Sequence, residues 1–131
     1  MGRVRSFRDL EIYQLAFELA VEIDQMSKDL PRHEMYEVGS QIRRSTKSIP
    51  ANIAEGFGRR RYKQDYIRFI IYGLASCDET RVHLDMLHHT ECMSDTTHQH
   101  FSNAYDILGK KLNRFLQSII QYHKEPYRSS P

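Results

Sequence analysis

Cysteine is scarce in this chain. Cys77 and Cys92 are the only two and form no CxxC pair, so neither a zinc site nor a disulfide framework is indicated. Six glycines and four prolines among 131 residues rule out a collagen-like or low-complexity chain. No apolar run approaches the roughly 20 residues that cross a bilayer. The start, Met1-Gly2-Arg3-Val4-Arg5-Ser6-Phe7, lacks the apolar core of a signal peptide, and Gly2 makes no convincing myristoylation site. A reducing, cytoplasmic setting is therefore expected. Net charge is only +2, so bulk charge points to no class of partner. HExxH and GxGxxG are missing, and Gly56-Phe57-Gly58 is too short to cradle a phosphate; it reads as a helix C-cap and turn. No Ser/His/Asp or Cys/His arrangement has supporting context. No catalytic residue is assigned, no cofactor or metal is expected, and the chain is not read as an enzyme.

What is present is helical periodicity. Ile12, Ala16, Leu19, Ile23, Met26 and Leu30 recur at alternating spacings of four and three, the period of an amphipathic helix over about 9–30. Asp9 is its first-turn acid or cap, and Pro31 stops it. Met35, Val38, Ile42, Ile49 and Ile53 mark a second helix over about 34–56. Tyr66, Ile70, Gly73, Cys77, Leu84 and Leu87 mark a third over about 63–91. Phe101, Tyr105, Leu108, Leu112, Phe115 and Ile119 mark a fourth over about 97–122, followed by a loose tail at 127–131. Nothing alternates as a strand. Short connections imply antiparallel neighbours, so the expectation is one all-α domain over 1–131, an up-down-up-down four-helix bundle.

Charge is unevenly spread. Residues 9–30 carry six carboxylates against Lys28 alone, whereas 41–68 carry eight cations against Glu55 and Asp65. Up-down topology gathers Arg3, Arg5, Arg8, Arg59, Arg60, Arg61, Lys63, Lys124 and Arg128 at one pole. The other pole collects His33, His88, His89, Cys92, His98 and His100.

The stretch Gln41-Ile42-Arg43-Arg44, Ser48-Ile49-Pro50-Ala51-Asn52-Ile53-Ala54-Glu55-Gly56 and Gly58-Arg59 resembles the hallmark of the four-helix-bundle proteins encoded in intervening sequences of bacterial 23S ribosomal RNA genes. Phe7-Arg8-Asp9-Leu10 with Ala16, Pro31 with Glu34 and Tyr36, and Arg68-Phe69-Ile70 with Ser76, Glu79 and Leu84 extend the likeness over about 7–120. Ala75 departs from the pattern, where glycine is expected before Ser76. The resemblance implies a bacterial bundle that assembles as a ring-like homo-oligomer, a pentamer. It implies no enzyme, and the family's molecular role is poorly defined. Nucleic-acid binding is suspected, in part because related bundles are accessory proteins to retroelement reverse transcriptases.

Three surfaces follow. Arg43, Arg44, Lys47, Arg59, Arg60, Arg61, Lys63 and Arg68 are candidates for RNA or DNA phosphate, because guanidinium forks match phosphate oxygens, and Tyr62 and Tyr66 could stack on bases. Cations suit the end of the second helix but oppose the dipole at the start of the third, a conflict that a bound anion would relieve. Ser48, Asn52 and Glu55, in a stripe with Gln41 and Ser45, read as a hydrogen-bonded seam against a helix of the same or a neighbouring subunit. Tyr72, Ser76 and Glu79 fall opposite the third helix's apolar line and read as an oligomer interface. Pro50 removes the helical partner of the Thr46 carbonyl, so a kink is expected there. Metal at the histidine pole is disfavoured because adjacent His88 and His89 point apart on a helix. The leading expectation is a non-enzymatic oligomer that binds nucleic acid. The alternative is a scaffold for a protein partner.

Overall fold

The computed structural model describes residues 3–125. Arg128 and the expected tail at 127–131 lie outside the described residues. Phe7–Asp9 forms a 3-10 turn, followed by α1 (Glu11–Ser27), a single-turn α2 (Arg32–Met35), α3 (Val38–Gly58), α4 (Lys63–His89) and α5 (Asp95–Tyr122). No strand occurs among the described residues. Cross-helix bonds show the antiparallel order, since rising numbers in one helix meet falling numbers in the next. Asp24 meets Lys47 and Ser27 meets Arg43 between α1 and α3. Ser45 meets Thr80 and Ser48 meets Ser76 between α3 and α4. Arg81 meets Asp106 between α4 and α5, and Glu11 meets Lys111 between α1 and α5. The result is an antiparallel four-helix bundle in the cyclic order α1, α3, α4, α5.

The core is largely the one that the periodicity implies, with Leu10, Ala20, Phe57, Met93 and Leu116 added and Phe115 only half-buried. Ile23, Ile42, Ile49, Ile53, Ile70, Leu84, Leu87, Leu108 and Leu112 are fully buried in one cluster drawn from all four long helices. Burying one such side chain contributes about 1.5–3 kcal/mol. Tyr105 is fully buried too, and its hydroxyl has no hydrogen-bond partner. Burial raises its ionisation far above the ordinary tyrosine range. Burial also pushes the Cys77 thiol up to about 12, so it stays protonated and unreactive.

Three boundaries differ most from the expected ones, and one is the end of α1, which stops at Ser27 before reaching Leu30 and Pro31. The first helix is preceded by a separate turn. The Ser6 hydroxyl accepts from the Arg8 amide, while the Asp9 carboxylate accepts from the amides of Arg5 and Ser6. Asp9 thus caps a 3-10 turn rather than starting α1. The expected continuous helix at 34–56 is broken at Glu37, whose φ of −102° and ψ of −100° leave the helical region. The chain turns there because Arg43 reaches back. Its Nη2 donates to the Met35 carbonyl at 3.0 Å, an acceptor at the end of α2 that helix geometry leaves without a partner, and Nη1 donates to Ser27 Oγ at 3.0 Å. Gly39 makes room, since a Cβ there would lie 2.8 Å from the Glu34 carbonyl oxygen and 3.2 Å from Arg43 Nη1. Past that break, α3 runs unbroken through the buried Pro50 to Gly58. Ala75 is exposed, so helix contact does not depend on the departure there.

The turn after α4 holds the one positive φ among the described non-glycine residues, Glu91 at 61°. The Cys92 amide donates to the Leu87 carbonyl at 2.8 Å and the Glu91 amide to the His88 carbonyl at 3.1 Å, the paired bonds of a Schellman stop. That motif suits glycine in the left-handed position. Glu91→Gly is expected to raise the unfolding free energy by about 1 kcal/mol, because a Cβ in that region costs about 1–2 kcal/mol. Urea titration with an unchanged slope checks it; an unaltered midpoint would show that the turn is unstrained.

Candidate nucleic-acid interface

The eight cations singled out above do not form one surface. Arg43 is half-buried in its clamp on Ser27 and Met35. Lys47 Nζ lies 2.9 Å from the Asp24 carboxylate, which is held below its usual range by that hydrogen bond. These two side chains join α1 to α3, because the acidic flank of α1 packs on the basic flank of α3. Part of the sequence's charge asymmetry is thus cancelled inside the molecule. Arg44, one residue on, is exposed.

The other five gather around the turn between α3 and α4. Arg60 lies over the Phe57 ring at 4.0 Å, and its Nη1 donates to the Phe57 carbonyl. Arg59 lies over Phe69 at 4.9 Å and 3.8 Å from the Asp65 carboxylate. Arg68 holds the same carboxylate at 2.6 Å. Arg61 is exposed beside them. Lys63 Nζ donates to the Ile120 carbonyl at 2.9 Å. The end of α5 therefore adjoins this turn, as up-down topology requires, and adds exposed Lys124. The 3-10 turn carrying Arg8 packs against α3 and α1. Of the proposed stacking residues, Tyr62 is 59% exposed, whereas Tyr66 is buried and its hydroxyl's ionisation is pushed up to about 12. Tyr66 packs edge-on to Phe57, Phe115 and His123 and is a core residue, not a platform for bases.

The small polar stripe resolves into an internal seam. Ser45 Oγ is 2.8 Å from Thr80 Oγ1, Thr80 donates to the Ser76 carbonyl, and Ser48 Oγ is 2.6 Å from Ser76 Oγ. Asn52 Nδ2 donates to the Ser48 carbonyl in its own helix. Ser76 was expected opposite the core, yet it is half-buried against α3. The apolar line of α4 marks only the bundle centre; its flank toward α3 is lined by small hydroxyls that pair instead of being dry. Thr80, fully buried, belongs to this seam and has no apolar signal in the sequence. Glu55, Tyr72 and Glu79 remain exposed, with Glu79 beside His83 at 3.0 Å and Tyr72 against Phe69.

At the other pole, His88 and His98 stack at 4.1 Å and 7°. Each meets a carboxylate on the opposite helix, Asp95 at 2.6 Å and Asp85 at 2.9 Å. His100 reaches Glu22 on α1. Among the described residues no group of three or more His, Cys, Asp or Glu side chains is placed to hold a metal ion. No helix among them is long and apolar enough to cross a membrane.

Large apolar side chains are exposed on two sides. Ile71, Tyr72, Val82 and Met86 lie on α4 with Ile107 on α5. Phe17 and Val21 on α1 border a groove of about 420 Å³ that Pro50 also lines, rimmed by Asp24, Lys28 and Lys47.

Compared with known proteins, the sequence matches the family described as 23S rRNA-intervening sequence protein over residues 8–114, from the first turn into α5. A similar solved structure is the 1.70 Å crystal structure of a protein with unknown function from the S23 ribosomal protein family of Bacteroides thetaiotaomicron. It shares 26% identity at a TM-score of 0.75, covering 81% of this chain and 95% of the other. No curated protein matches this chain.

Proposed function

We infer that this chain, which belongs to the 23S rRNA-intervening sequence protein family, is a non-catalytic, cytoplasmic, oligomeric bundle that holds the phosphate backbone of RNA or DNA on its basic pole. The observation that carries the reading is the cluster of Arg59, Arg60, Arg61, Lys63, Arg68 and Lys124 around one turn, in which Asp65 and Glu125 are the carboxylates bonded to cluster residues among the described residues. Exposed Tyr62 within it offers a face for an unpaired base. Phosphate contacts carry no sequence information, so the reading is of backbone binding. Of the cations named from the sequence, Arg43 and Lys47 leave the proposed contact set, and Arg44 stays as an outlying contributor. The exposed apolar rows on α4 and α1 favour assembly of several copies, which would multiply weak contacts.

Replacing Arg59, Arg60 and Arg61 together with alanine tests this. Affinity for a structured RNA is expected to fall at least about tenfold at low salt, with the slope of log K against log salt reduced by about two to three units. Helical content and the mass by light scattering should stay those of the parent. Equal affinity of parent and triple variant removes the reading, and a monomer at micromolar concentration removes the assembly.

A scaffold for a protein partner is the second reading, favoured by the same apolar row of Ile71, Val82 and Met86. Recovery of one stoichiometric partner from nuclease-treated lysate, lost on Val82→Glu, would favour it.

A further inference from the structure

We propose that residues 123–125, at the end of α5, form an intramolecular strap over the basic turn, in which the Glu125 carboxylate holds the place of a nucleic-acid phosphate. The proposal rests on the phosphate-binding reading of that turn and names how access to it is controlled.

One bond fixes the end of α5 beside the turn and two more tie the strap down. Lys63 Nζ donates to the Ile120 carbonyl at 2.9 Å. A ring nitrogen of His123 lies 2.7 Å from the Arg60 carbonyl. Because a carbonyl only accepts, His123 Nε2 carries the proton in this contact. Glu125 Oε1 accepts from the Lys63 backbone amide at 3.1 Å. The His123 ring also packs edge-on against Tyr66, 5.1 Å between centroids.

The third bond is the informative one. Lys63 is the first residue of the 27-residue α4, and the residue before it, Tyr62, gives no side-chain cap. Amides at such an end, with four arginines close by, attract an anion. The anion present comes from the chain itself, about sixty residues away in sequence. Asp65, the other carboxylate in the cluster, is already held by Arg68 and Arg59. Glu125 is therefore the acid that stands between these donors and an incoming phosphate.

The place also has room. Lys63, Gln64, His123, Lys124 and Glu125 line a cleft of about 590 Å³. Glu125 is exposed, and an exposed contact of this kind is weak enough for a phosphate to displace. Withdrawal of the carboxylate opens the Lys63 amide and the cleft while leaving the bundle core untouched. The strap thus weakens binding of short or weakly charged strands and yields to a strand that engages several cations together.

The test compares parent, Glu125→Gln and Asp29→Asn by fluorescence anisotropy with a labelled RNA hairpin across a salt series. Asp29 lies beyond α1 at the opposite pole, so Asp29→Asn removes the same charge without touching the strap. Glu125→Gln is expected to tighten binding about two- to fivefold and to steepen the salt slope by about one unit, with Asp29→Asn close to the parent. Equal tightening in both variants would reduce the effect to net charge and overturn the strap. Unchanged or weaker binding by Glu125→Gln, while the triple arginine variant still loses affinity, would overturn the strap and leave the nucleic-acid reading standing. Absence of binding by parent and Glu125→Gln alike would overturn both.

Discussion

Leu84→Ala is expected to lower the unfolding free energy by about 3 kcal/mol, within the 2–5 kcal/mol range of large-to-small changes in a packed core. Leu84 is fully buried, in the same cluster as Ile42, Ile49, Leu108 and Leu112. Removing its three terminal carbons leaves a hole lined by side chains from several helices, and helices tied by cross-links such as Ser45 to Thr80 and Arg81 to Asp106 cannot simply close on it. Val82→Ala, two residues away, supplies the contrast. Val82 is 58% exposed, and its loss is expected to cost less than about 0.5 kcal/mol in the isolated protomer. Guanidinium unfolding with a common slope checks both. A Leu84→Ala cost below 1 kcal/mol would mean that the core is loosely packed. A large cost at Val82 would instead show that this face is covered in the folded state.

Arg43→Ala is expected to cost about 2–3 kcal/mol of stability and to leave RNA affinity unchanged, the opposite of what its place in a basic motif suggests. Hydrogen bonds from a charged donor contribute about 1.5–3 kcal/mol each where the acceptor is shielded, and removal of the donor leaves the acceptor unsatisfied. Here the acceptors are Ser27 Oγ and the Met35 carbonyl, and Ser27 is fully buried. Arg43 links the end of α1, the end of α2 and the first turns of α3, so its loss frees the corner at which the chain reverses. Arg43→Lys should recover only part of the cost, because one ammonium cannot span both acceptors as the planar fork does. Thermal unfolding beside anisotropy separates the two effects. A stable Arg43→Ala protein with weakened RNA binding would return Arg43 to the interface.

The contrast between Arg43 and Arg59 explains how far the sequence can be read. Both are arginines in the same motif, and residue type assigns both to phosphate. Rotation about the helix does not separate them, because whether a flank meets solvent or a carboxylate depends on which helix packs there. Lys47 shows the same limit, since its partner Asp24 lies 23 residues upstream. Ser76 and Thr80 show a related limit. Small hydroxyl residues carry little periodic signal, and only pairing across α3 and α4 makes them interior. The break at Glu37 was invisible because the apolar spacing runs on through it, while its cause is a side chain six residues later. Tyr66 is no stacking platform, and its spacing with Ile70 and Gly73 already places it inside.

The sequence by itself determined the helical class, most core residues and the family, because a 3.6-residue apolar period and a long specific motif are local properties of the chain. Ile12, Ile23, Ile53, Leu84, Leu108 and Leu112 are where the period puts them. Tertiary structure alone decided which polar groups are partners and which are surface. It folded Arg43 into a clamp on Ser27, paired exposed Lys47 with Asp24, closed Ser48 on Ser76, and brought the Glu125 carboxylate to the Lys63 amide. The physical reason is range. Burial of an apolar face needs only a repeating spacing, whereas a hydrogen bond or ion pair needs its two groups within about 3–4 Å, and helix packing sets that distance between residues that are remote in sequence.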